Sequence, residues 1–169
     1  MTTTAPQNQK LGDKVADLIK RNLHHSEPNK VSYAAHALLK WRELDDSAQT
    51  KRLITLLISQ IVPHQTSGLP AKLWVAKELV NYGFLSDGEH ETLTEAIPLI
   101  FDAMNYEGID PRSRVAASAS LVREGCVVLA KALLSATATG HDEINRIIEE
   151  ARLDPLPEVR FAVTSESDD

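Results

Sequence analysis

From Asp13 to Val163 apolar residues return every three or four positions almost without a break, and nowhere do they alternate long enough to mark a strand. A chain patterned this way buries one stripe per helix, so the fold class is all-α. The composition agrees: 7 glycines in 169 residues leave little room for glycine-rich phosphate loops. Two Trp, three Tyr and three Phe are few for a β-sandwich. The length suits one domain. Its longest apolar stretch, Leu53 to Val62, is interrupted by Thr55, Ser59 and Gln60 and falls far short of the about 20 residues a bilayer crossing takes.

Caps and breakers predict helices over Asp13–His25, Asn29–Leu44, Asp46–Val62, Pro70–Tyr82, Asp87–Asn105, Pro111 to about Ala136, Asp142–Arg152 and Pro157–Val163. Pro98 is expected to kink the fifth helix. The sixth is read as continuous through Gly125, with an end at that glycine as the alternative. Residues 1–10 and 164–169 are polar and read as disordered ends, which leaves 11–163 as the domain.

Within this pattern lies a repeat. Val31, Leu73, Val115 and Val159 are separated by 42, 42 and 44 residues, and each follows a proline (Pro28, Pro70, Pro111, Pro157) by two to four positions. The third residue after each anchor is small: Ala34, Ala76, Ser118, Ala162. The segment Asp154-Pro155-Leu156-Pro157-Glu158-Val159-Arg160 places Val-Arg five residues after an Asp, and Asp110 to Val115 keeps the Asp and the Val but has Ala116 for the Arg. In these features the chain resembles the HEAT and armadillo helical repeats. The resemblance implies a short right-handed α-solenoid of about three and a half two-helix units over residues 13 to 163, whose second helices line a concave face. It implies no activity. An irregular helical bundle is the alternative.

The formal charge of −6 argues against a nucleic-acid partner. It is unevenly spread. Over Asn29–Arg42, Pro70–Tyr82 and Pro111–Glu124 there are eight bases and two acids, leaving ten bases against twenty-two acids elsewhere. The residue before each anchor is Lys30, Lys72, Arg114 and then Glu158, so stacked repeats would align three cations. The expected function is a protein-binding module that holds an acidic or mixed-charge partner segment on a basic concave face. Its expected contacts are Lys30, Tyr33, His36, Lys40, Lys72, Trp74, Lys77, Arg112, Arg114 and Arg123. A second reading reverses the polarity: an immunity-type inhibitor meeting a basic partner through Asp87, Glu89, Glu91, Glu95, Asp142, Glu143, Glu149 and Glu150. A third is enzymatic, because Trp74, Glu78 and Arg114 are similar to the aromatic, carboxylate and arginine set of HEAT-like alkylpurine DNA glycosylases.

Other chemistry has little support. No two of the six histidines are spaced i, i+4, so no metal is expected. Cys126 is the one cysteine and lies on an apolar stripe, which suits an inert thiol and a reducing cytoplasm. No cofactor is expected, and the oligomeric state is left open.

Overall fold

Local sequence sets where the helices begin. Ser47 starts one by accepting a hydrogen bond from the Thr50 backbone N–H at 3.4 Å, and its own hydroxyl donates to Asp45 at 2.6 Å. Ser86 starts another through a capping box, in which Glu89 accepts the Ser86 N–H at 3.0 Å while Ser86 Oγ accepts the Glu89 N–H at 3.2 Å. Pro28, Pro70 and Pro157 each occupy a first turn, where the missing N–H costs nothing. The computed structural model describes residues 4–105, 110 and 112–165, with the backbone alone for 4–8 and 115–117. Among them are eight α-helices and no strand: α1 (Thr4–Leu23), α2 (Pro28–Leu44), α3 (Ala48–Ser59), α4 (Leu69–Asn81), α5 (Asp87–Ala103), α6 (Arg114–Ala136), α7 (His141–Ala151) and α8 (Pro157–Thr164).

The fold is therefore all-α. One boundary differs from the expected one by much more than a turn. α1 starts at Thr4 instead of Asp13, so most of the segment read as disordered is helical. Ala5, Gln7, Gln9 and Lys10 are good helix formers, and extending an existing helix costs little even where no apolar stripe signals it. α5 runs on through Pro98, which is buried, and α6 is a single helix through Gly125. Residues 166–169 and Pro111 lie outside the described residues.

The helices form two rows. α1, α3, α5 and α7 pack each on the next, as do α2, α4, α6 and α8, and each odd helix also packs on the even helix that follows it. Between the rows runs one apolar core from Ala16 to Val163, in which Leu38, Leu57, Leu73, Leu79, Leu93, Phe101 and Leu129 have no exposed surface. Each such side chain contributes about 1.5–3 kcal/mol by leaving water.

Glycine decides two contacts in the even row. Gly68, the N-cap of α4, has φ 67°, and a Cβ there would lie 2.7 Å from Val31 Cγ1. Gly125 brings α6 onto α4 so closely that its Cβ would lie 3.0 Å from Leu73 Cβ. The absent side chain, rather than helix termination, is why a glycine sits there.

Candidate functional site

The even helices share a phase. In each, a buried residue is followed two positions on by a large exposed apolar residue and then by two more buried ones: Val31, Tyr33, Ala34 and Ala35 in α2; Lys72, Trp74, Val75 and Ala76 in α4; Ala119, Leu121, Val122 and Arg123 in α6; Val159, Phe161, Ala162 and Val163 in α8. Burial thus aligns Val31 with Lys72, one residue before the expected equivalent Leu73. Tyr33 is 74% exposed, Trp74 47%, Leu121 54% and Phe161 70%. A large apolar side chain left in water on each of four adjacent helices is the feature of this surface that composition alone does not explain.

The proposed basic strip does not survive in full. Lys72 is 3% exposed, because its phase in α4 is that of Val31 in α2 and points it inward. Burial pulls its ammonium below the usual lysine range. Arg123 is also buried. It donates from Nε to Asp154 at 2.8 Å and from Nη1 to the Phe101 carbonyl at 2.8 Å, and its guanidinium stacks 3.7 Å from the Phe101 ring centre. Both residues therefore leave the set of partner contacts; Arg123 ties α6 to α5 and to the turn before α8. Lys77 reaches the surface but is already engaged, 2.8 Å from Glu78 and 3.5 Å above the Trp74 ring. Exposed cations remain at Lys40, Arg112 and Arg114 and at Lys30, whose Nζ is 3.9 Å from Glu27; His36 is exposed as well. The side chain of Val115, the third repeat anchor, lies outside the described residues.

The charge along this surface is mixed. Lys30, His36 and Lys40 accompany Tyr33 on α2, and the α6–α8 side carries Glu124 and Glu158 together with the exposed Arg112, Arg114 and Arg160. Burial raises the Glu124 carboxyl above the ordinary carboxylate range, and the like charge of Glu158 adds to the effect.

Two of the trio read as enzyme-like, Glu78 and Trp74, are already engaged. Glu78 is neutralised by Lys77, and that same ammonium covers the face of Trp74 on which a cationic base would stack. The acids of the opposite row are partly spent on structure. Glu89 belongs to the capping box, Glu143 and Glu150 share Arg146 with Asp102, and Glu149 pairs with Arg152 at 3.1 Å. Asp87, Glu91, Glu95 and Asp142 stay exposed. Cys126 has no exposed surface, and burial raises its thiol pKa despite nearby Arg123. Among the described residues no three His, Cys, Asp or Glu side chains gather as metal ligands, and no helix is long and apolar enough to cross a membrane.

Sequence reasoning singled out Tyr33 and Trp74 but passed over Leu121 and Phe161. Phe161 stands two residues after its anchor Val159 as Tyr33 does after Val31, a signal that was present but unused, whereas Leu121 follows Ala119, one turn beyond the anchor Val115. No protein-family model matches the chain, and neither a curated protein nor a solved structure matches it.

Proposed function

We propose that this chain is a protein-interaction module, built as a HEAT-like right-handed α-solenoid of four helix pairs, that holds a mixed-charge partner segment along its even helices. The packing of each helix only on near neighbours supports the solenoid reading. The observation that carries the function is the row Tyr33, Trp74, Leu121 and Phe161, four exposed large apolar side chains in one phase. The partner segment is apolar at intervals that match the row, acidic toward Lys30 and Lys40 and basic toward Glu124 and Glu158.

Selection of a displayed peptide library on the intact chain tests this. Enriched peptides should carry aromatic or aliphatic residues flanked by acids at one end. Trp74→Ala should weaken them by about 2 kcal/mol or more, and the triple variant Tyr33→Ser, Trp74→Ala, Phe161→Ser should abolish binding while its helical circular dichroism is kept. Peptides that bind the triple variant as well as the parent would overturn the reading. Retention of affinity by Lys30→Glu with Lys40→Glu would overturn the assigned polarity.

A further inference from the structure

A cleft of about 700 Å³ lies on the odd row, between α3 and α5, closed at one end by the last turn of α2 and by the loop 83–86. Its apolar wall is Ile54, Ile58, Phe84 and Leu85, and its polar rim is mostly hydroxyl: Thr55, Ser59, Ser86 and Thr92. Volume and lining both fall in the range of small-molecule sites. Arg42 and Lys51 supply its two cations and Glu89 its only carboxylate.

Arg42 is the informative residue. Its guanidinium stacks 4.2 Å from the Phe84 ring centre, which fixes the plane of the group. Its Nε is sealed from solvent and has no hydrogen-bond partner, and neither Arg42 nor Lys51 takes part in any ion pair among the described residues. The nearby Asp45 feels the Arg42 charge, but its Oδ2 already accepts from the Ser47 and Thr50 hydroxyls. Glu89 offers no better partner: Oε1 accepts from the Ser86 N–H and hydroxyl, and Oε2 accepts from the Thr55 hydroxyl at 3.1 Å. The N-terminus of α5 is likewise occupied by its own capping box, so an anion here would be held by side chains. A guanidinium held by stacking on one face, lining a cleft and without an ion-pair partner among the described residues, has its Nη groups left to meet an oxyanion.

We propose that this cleft binds a small amphipathic anion, with its carboxylate or phosphate head on Arg42 and Lys51 and its apolar tail toward Phe84 and Leu85. The site is separate from the even-helix surface and does not depend on how that surface is used.

Calorimetric titration of the intact chain with octanoate, octyl phosphate, octan-1-ol and inorganic phosphate tests it. Octanoate or octyl phosphate should bind, and the tighter of the two identifies the head group. Octan-1-ol and inorganic phosphate should each bind much more weakly, because each lacks one half of the recognition. Arg42→Gln should weaken the anion about ten- to hundredfold, the loss expected for a charged hydrogen-bonding group. Lys51→Gln, at an exposed position that folding does not need, should weaken it less. Absence of binding by both octyl anions at millimolar concentration, equal binding of octan-1-ol, or affinities unchanged in both variants would overturn the proposal.

Discussion

The two ends of the even row are joined by different means. Between α2 and α4 the join is steric: Gly68 lies against Val31, Ala34, Ala35 and Ala76 are buried on the facing helices, and the one cation nearby, Lys72, has no ion-pair partner among the described residues. Between α6 and the α7–α8 turn the join is polar. Arg123 meets Asp154, Asp154 accepts the Leu156 N–H at 3.0 Å, and Lys131 donates to the Ala162 carbonyl at 3.2 Å and to that of Ser165. Both ends bury a positive charge, but only one buries its counter-charge. The turn before α8 presents the Asp154 carboxylate to Arg123, whereas no acid is paired with Lys72 among the described residues.

The comparison can be broken at three points. Removing half of the polar join should do the most damage. Arg123→Met strands the Asp154 carboxylate in the core and should cost about 3–5 kcal/mol in urea unfolding, while Arg123→Met with Asp154→Asn should recover much of that loss. Recovery of nothing by the double variant would mean that Arg123 acts through its stacking on Phe101 and not through charge. The steric join comes next. Gly68→Ala forces a Cβ onto Val31 at a left-handed φ and should cost about 2–3 kcal/mol. Gly125→Ala should cost less, since φ is helical there and alanine regains helix propensity.

The smallest effect is expected at Lys72. Replacing it with Met should change stability by less than about 1 kcal/mol at neutral pH, or raise it, because no partner is lost and a desolvated ammonium is removed. The pH dependence has a definite sign. The folded-state pKa of Lys72 is depressed, so between that value and the ordinary lysine pKa the unfolded chain holds a proton that the folded chain does not, and stability rises with pH through that window. Lys72→Met should abolish that rise, as followed by urea midpoints across alkaline pH. An unchanged slope would place the ammonium in water after all.

Much of this was legible in the sequence, and the rest failed for identifiable reasons. The helices between residues 28 and 164 follow from proline at first turns, serine caps and apolar stripes, which are local signals. The start of α1 was missed because residues 4–10 are helical by propensity and not by pattern. Tyr33 and Trp74 were recognisable as lying off the buried stripe. Lys72 and Arg123 were misplaced because a cation is read as outward by default; Lys72 is buried by the phase of α4 alone, and Arg123 by a partner distant in sequence. Asp154, the partner of Arg123, lies 31 residues away. The cleft on the odd row was invisible for the same reason, since Arg42, Ile54 and Phe84 come from three separate parts of the chain.

In a linear stack each unit touches only its two neighbours, and the array can fray from an end one unit at a time. With 23 residues, α6 packs on α4, α5, α7 and α8 alike. α7 and α8 therefore cannot peel away without stripping two sides of α6, and α6 cannot leave without exposing α4 and α5. Loss of α6 would open the array at its middle, whereas α1, which packs on α2 and α3, and α8, which packs on α6 and α7, are the two ends at which opening can begin.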